Sequence, residues 1–292
     1  MTSGTISRLR AGLTIWLAVL GLLFATHAMA GVVEVFHADS LAGPMGELKK
    51  AFEAKHPGVT LNLTSGVSKQ LSQRILNGDS CDVFAPSSPA VIDQDLMNKQ
   101  VAGSNQNAAS WYVIFSANEM VVITGKGNPL RIRHVSDLAR PGVTFVRVTG
   151  EKDLATGRTI EFLKRAAALE GKPDLAQTII DSAIVDPSKP VTVADVVNAV
   201  REGQASAGVD YFSTAVAARN DIEIIRFPAS VNLSDTIRNA ATVPGTAKNP
   251  KEATAFVRFL LTAEARAILK KTGQPPVVPA IRIGDVPASV KN

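Results

Sequence analysis

One cysteine, Cys81, is present in 292 residues, so no internal disulfide can staple this chain. Cys81 leads directly into the apolar run Asp82-Val83-Phe84-Ala85 and reads as a small buried residue. The four histidines, His27, His37, His56 and His134, are dispersed, and with one cysteine they form no metal-ligand spacing. Aromatic residues make up 5% of the sequence, and the Lys and Arg residues are scattered. A nucleic-acid surface needs a basic stripe, usually interleaved with stacking aromatics, and neither is visible. A G-x-S-x-G nucleophile elbow is also missing. Gly125-Lys126-Gly127-Asn128-Pro129 lacks the spacing of a phosphate loop and reads as a turn. His37, Asp39 and Ser40 lie too close along one strand to work as a nucleophile and its base. These absences argue against an enzyme.

Long apolar runs are confined to the N-terminus. Arg8 and Arg10 precede the apolar segment Ala11 to Ala25, and Ala28-Met29-Ala30 is an A-x-A cleavage signal. Thr14, Thr26 and His27 interrupt the segment before it reaches the ~18 apolar residues of a spanning helix. Residues 1–30 are therefore expected to be a cleaved signal peptide, with a soluble mature chain in the periplasm. Cys81 is far from that cleavage site, which argues against lipid attachment. The formal net charge of +5 falls to +3 once Arg8 and Arg10 are removed, a balance compatible with an anionic ligand.

The 46% hydrophobic content is ample for a large core, and its pattern alternates short strands with helices. Val32 to Phe36, Val59 to Thr64 and Asp82 to Ala85 read as strands. Between them, Pro44 to His56 aligns Met45, Leu48 and Phe52 on one face, and Ser68 opens a helix through Asn77 with Leu71 and Ile75 inward. This βαβαβ order implies an α/β fold with helices flanking a parallel sheet. Trp111 to Thr124 is apolar except for Ser116-Ala117-Asn118-Glu119, and reads as a segment leaving one sheet for another. A second βα series follows: Thr144 to Val148, Gly157 to Leu169, Ala194 to Glu202, Ser206 to Tyr211 and Glu223 to Phe227. Thr236 to Thr242 reads as a return strand and Pro250 to Lys271 as one long final helix. The expected organisation is a first lobe over residues 31–115, a second over 116–234, and a return crossing with the rest of the first lobe over 235–292. Two crossings between two lobes make a cleft that opens and closes.

Four expected helix N-termini follow strands or turns, at Ser40, Ser68, Thr156-Gly157 and Thr192-Val193. Such ends offer unpaired N–H groups and a favourable dipole to an anion. Tyr211, at a strand end, adds a phenol O–H. In open α/β sheets ligands bind beyond the carboxyl ends of the strands, where these groups would meet.

The chain resembles the periplasmic substrate-binding proteins of molybdate and tungstate ABC transporters, which have the two-lobed type II binding-protein fold. The resemblance runs through Val35-Phe36-His37-Ala38-Asp39-Ser40-Leu41, Ser65-Gly66-Val67-Ser68-Lys69-Gln70-Leu71 and Asp82-Val83-Phe84-Ala85-Pro86-Ser87-Ser88. It continues through Phe115-Ser116-Ala117-Asn118-Glu119-Met120-Val121 and Ala207-Gly208-Val209-Asp210-Tyr211. It implies a tetrahedral oxyanion held by the Ser40 and Ser68 hydroxyls, the backbone N–H groups of Thr156 and Val193, and Tyr211. It further implies no cofactor, no direct metal ligands, delivery to an inner-membrane permease, and a monomer. Neutral donors suffice for this task, because hydrogen bonds to an ionised acceptor are about twice as strong as neutral ones.

Two residues depart from the family pattern. Thr156 is bulkier than the usual alanine. Asp39 stands beside the first serine, where a carboxylate facing a dianion would cost several kcal/mol at an intermediate effective dielectric. Either its side chain turns away, or the ligand is another anion: sulfate, a phosphate-like ion or an organic acid. A role in signalling or adhesion instead of uptake is compatible with the same sequence.

Overall fold

The structure, a computed structural model, describes residues 31–185 and 188–291. The expected signal peptide, residues 1–30, lies outside the described residues. Among those described, no helix is long and apolar enough to cross a membrane.

The first lobe begins with β1 (Gly31–Ala38), a 3-10 turn (Asp39–Leu41) and α1 (Ala42–Lys55). There follow β2 (Val59–Gly66), α2 (Ser68–Leu76), β3 (Val83–Ala85), α3 (Pro89–Asp95) and β4 (Trp111–Ala117). The second lobe carries β5 (Met120–Gly125), β6 (Phe145–Arg147), α4 (Leu154–Leu169), α5 (Leu175–Asp181), α6 (Val193–Arg201), β7 (Ala207–Tyr211), α7 (Phe212–Ala217) and β8 (Ile222–Ile225). The chain then returns through β9 (Arg238–Ala241), α8 (Pro250–Phe259), α9 (Ala263–Lys271), β10 (Pro276–Gly284) and α10 (Ala288–Lys291).

β1 is the centre of a parallel sheet ordered β2-β1-β3, and its eight residues pair in register with β2 from Gly31↔Val59 to Ala38↔Gly66. An antiparallel bridge between Phe84 and Thr242 connects this sheet to β10-β4-β9. The second lobe is a four-stranded sheet ordered β6-β7-β5-β8. Pairing is more mixed than the βα rhythm predicts. Only β1–β2, β1–β3 and β6–β7 are parallel, because the strands next to the crossings run against their neighbours.

Each lobe has its own core. In the first, Phe52 of α1 meets Phe256 of α8 edge-on, with ring centroids 5.1 Å apart. The stripe Met45, Leu48 and Phe52 is buried as its helical spacing requires. In the second, Phe162 of α4 meets Phe227 edge-on at 5.1 Å. The single helix expected over Pro250 to Lys271 is two helices. Thr262 accepts a hydrogen bond from the Ala265 N–H at 3.2 Å and caps α9, so the chain turns between Phe259 and Ala263.

One buried carboxylate joins the separate parts of the first lobe. Asp82 is fully buried and accepts from the N–H groups of Glu34 (2.8 Å), Lys248 (2.7 Å) and Asn249 (2.7 Å). It therefore ties β1 and the entry to β3 to the start of α8, across more than 160 residues of sequence.

The crossings between lobes are cross-braced. The first is Asn118-Glu119, between β4 in one sheet and β5 in the other. Buried Glu119 accepts from Asn232 Nδ2 at 2.8 Å and pairs with Arg226, both on the return path. Asn118 donates to Ser213 Oγ at 2.8 Å, and Ser213 Oγ in turn donates to the Ser40 carbonyl at 2.6 Å. The loop after β1 is thus bonded directly to the second lobe at Ser213, which a residue of the crossing holds.

Candidate functional site

Strand β1 delivers its last residues to the cleft, and the 3-10 turn that follows presents Ser40. Its carbonyl is held from both sides, by Ser213 Oγ and by Gln274 Nε2 at 3.2 Å. Its hydroxyl is buried, has no hydrogen-bond partner within the protein, and borders a polar cavity of about 20 Å³. A buried unpaired hydroxyl is costly unless something else bonds to it.

Ser68 opens α2 after Val67, which sits in extended conformation at the N-cap. Its Oγ accepts the Ser87 N–H at 3.3 Å, so the hydroxyl proton remains available to the cavity that both serines border. The second lobe closes the other side with Tyr211, at the end of β7, and Val193, the first residue of α6. Thr192 caps α6 in a reciprocal box with Asp195, which leaves the N–H of Val193 at the open end of the helix. Tyr211 is 2% exposed, and burial pushes its phenol up, so it stays a protonated donor. Ser40, Ser68, Val193 and Tyr211 therefore meet around one cavity.

Thr156 is not among the residues that border this cavity, although its hydroxyl, like that of Ser40, is buried without a partner in the protein. Helix α4 opens at Leu154, capped by Asp153, whose carboxylate accepts the Ala155 N–H at 2.9 Å. Thr156 lies within the first turn, and its N–H donates to the Asp153 carbonyl at 3.2 Å. The second-lobe residues that border the cavity here are Asp153 and Leu154. The helix end expected at Thr156-Gly157 lies instead at Leu154, because Asp153 supplies a side-chain N-cap three residues before Thr156.

Two polar residues that border the cavity, Ser87 and Asp153, and one behind it, Arg158, were not anticipated as part of it. Arg158, on α4, donates from Nη1 to the Tyr211 hydroxyl at 2.8 Å and to Ser87 Oγ at 3.2 Å. Its Nη2 donates to the Ser87 carbonyl at 2.7 Å. Ser87 is buried and borders the cavity. Asp153 is half-buried at its edge, and burial raises its carboxyl above the usual range; the nearby Asp39 adds to the rise, while the Ala155 N–H and Arg158 oppose it. Asp39 accepts a hydrogen bond from Ser65 at the end of β2 and still borders the cavity. Its carboxylate is turned onto the neighbouring strand, with one oxygen occupied. His37 is buried behind the site with Nδ1 2.9 Å from the Ala38 carbonyl, and burial lowers its pKa.

A second space of about 220 Å³ adjoins the first and shares Asp39, Ser40 and Val193 with it. The polar cavity itself admits only a compact group. Among the described residues, no group of three His, Cys, Asp or Glu side chains is placed to hold a metal ion.

Two lobes of mixed sheet and helix, joined by two crossings around a hydroxyl-lined cleft, define the type II periplasmic-binding-protein fold. The chain belongs to the bacterial extracellular solute-binding protein family, which it matches over residues 33–274. Its relatives include the molybdate-binding protein ModA of Mycobacterium tuberculosis, 29% identical over 241 residues covering 82% of this chain and 83% of that one. The molybdate/tungstate-binding protein WtpA of Pyrococcus abyssi is 24% identical and covered to 88% on both sides. Among solved structures, the periplasmic molybdate-binding protein of Azotobacter vinelandii superposes with a TM-score of 0.63 at 19% identity, over 85% of this chain and 99% of that one. The family is one of solute-binding proteins, not of enzymes.

Proposed function

We propose that this protein is the periplasmic solute-capturing component of an ABC transporter, closing its two lobes on a tetrahedral oxyanion, molybdate or tungstate, for delivery to a membrane permease. One observation carries the reading: the hydroxyls of Ser40, Ser68 and Tyr211 border a single small cavity at the N-terminus of α6, each with its proton free for a ligand. Ser40 has no partner in the protein, and the other two already accept from protein donors. Ser40 and Ser68 would bind from the first lobe, and Tyr211 and the Val193 N–H from the second. Two relatives that bind molybdate or tungstate, by their names, support the choice of ligand.

Thermal denaturation with molybdate, tungstate, sulfate, phosphate and simple carboxylates tests the proposal. At 100 times its Kd a ligand adds about 2.7 kcal/mol to stability. Molybdate and tungstate are expected to raise Tm most. Preference for a carboxylate, or no shift with any oxyanion, would overturn the reading.

The acidic edge of the cavity supports a second reading, an anion that brings its own proton, such as hydrogen phosphate, with Asp153 as acceptor. Both readings make a statement about pH. Burial already disfavours the charged form of Asp153, and a bound dianion disfavours it further, so the complex with molybdate takes up a proton. Molybdate affinity is therefore expected to fall as pH rises above the ordinary carboxylate range and Asp153 ionises. Titration calorimetry across pH should show this slope in the native protein and a flatter one in Asp153→Asn. A protonated anion, bonded to an ionised Asp153, would instead lose affinity in that variant.

A further inference from the structure

Arg158 lies on the second lobe and is bonded to both. Its guanidinium spans Tyr211 on its own lobe and Ser87 on the other, with three hydrogen bonds between 2.7 and 3.2 Å. Ser87 then passes its N–H to Ser68 Oγ. A single side chain thus stands behind cavity hydroxyls contributed by opposite lobes.

The chemistry of arginine gives this arrangement a direction. A guanidinium carries five N–H donors and no acceptor. Every oxygen that Arg158 touches must therefore accept from it. The Tyr211 oxygen accepts from Nη1, which leaves the phenol proton for another partner, and the phenol borders the cavity. Ser87 Oγ also accepts from Nη1, so its proton is likewise free, and Ser87 borders the same cavity. A positive charge on the far side of an O–H group strengthens it as a donor.

We propose that Arg158 is a positioning residue that orients the Tyr211 and Ser87 hydroxyls as donors into the cavity, and that its bond to Ser87 makes this orientation complete only when the lobes are closed. The inference rests on the oxyanion reading of the same cavity. It adds Ser87 as a ligand donor and makes Arg158 a link between closure and affinity, without contact between Arg158 and the ligand.

The test combines titration calorimetry with molybdate and small-angle scattering of the unliganded protein. Arg158→Ala is expected to lower molybdate affinity by roughly 10- to 100-fold, the range for hydrogen bonds to charged groups. Arg158→Lys should recover only part of this, because one ammonium cannot reproduce the planar fork that reaches two residues. The decisive comparison is the double variant. If Arg158 acts through the phenol, Arg158→Ala should cost several-fold less in a Tyr211→Phe background than in the native one. Unchanged affinity in Arg158→Ala, or equal losses in both backgrounds, would overturn the proposal. Should Arg158→Ala not fold, Arg158→Gln takes its place in both arms. Scattering separates this proposal from the ligand assignment. Without ligand, the Arg158 variant should shift toward a larger radius of gyration, and an unchanged radius would overturn the link to closure even if the native protein bound no oxyanion at all.

Discussion

Ser40→Ala is expected to weaken molybdate binding by roughly 10- to 100-fold while leaving the unliganded protein as stable as before, or slightly more so. The two halves of this result have one cause. The Ser40 hydroxyl is buried and has no partner within the protein, so removing it breaks no intramolecular hydrogen bond and relieves a buried polar group. In the complex the same hydroxyl would bond to an ionised oxygen. Ser68→Ala should lose affinity to a similar degree but also lower Tm, because it orphans the Ser87 N–H that Ser68 Oγ accepts. Calorimetric titration with molybdate and a melting curve for each variant check both halves. If Ser40→Ala binds as tightly as the native protein, the cavity is not the ligand site.

The largest effect on stability is expected at Asp82, away from the cavity. Asp82→Ala would leave three backbone N–H groups, of Glu34, Lys248 and Asn249, without their acceptor. At about 1–3 kcal/mol for each orphaned group, less where water reaches the exposed Lys248, the loss should be about 3 kcal/mol, a large part of a domain's total stability. Asp82→Asn should fall between, since one end of its amide would present a donor to an N–H. Urea denaturation monitored by tryptophan fluorescence measures the loss, with Trp111 lying in the affected lobe. A change below about 1 kcal/mol would mean that these N–H groups find other partners.

Several parts of this architecture were legible in the sequence for physical reasons. Helix stripes such as Met45, Leu48 and Phe52 repeat at the spacing of a turn, and a hydroxyl residue at a strand end or turn before a helix marks the helix ends at Ser40, Ser68 and Thr192-Val193. Other parts left no such signal. Arg158 looks like any cation on a solvated helix face, and only the fold turns it toward Tyr211 and Ser87. Asp82 and Gln274 are polar residues that each have a partner more than 150 residues away, beyond any local pattern. Strand β10 carries Pro276 and Pro279, which read against a strand, yet it pairs with β4 through an irregular register at the edge of the sheet. Asp153 reaches the cavity because α4 opens at Leu154, ahead of the Thr156-Gly157 start that the sequence predicts.

The bond from Ser213 to the Ser40 carbonyl has a mechanical consequence. Ser213 is held by Asn118, a residue of the crossing, so this contact lies close to the axis about which the lobes would rotate. Rotation displaces atoms in proportion to their lever arm, and a contact near the axis stretches least. The tie from Arg158 to Ser87 involves no residue of either crossing and should bear more of the displacement. The first acts as a pin and the second as a latch. A solute would then meet Ser40 already in place, and its residence time would be governed by how often the latch lets go.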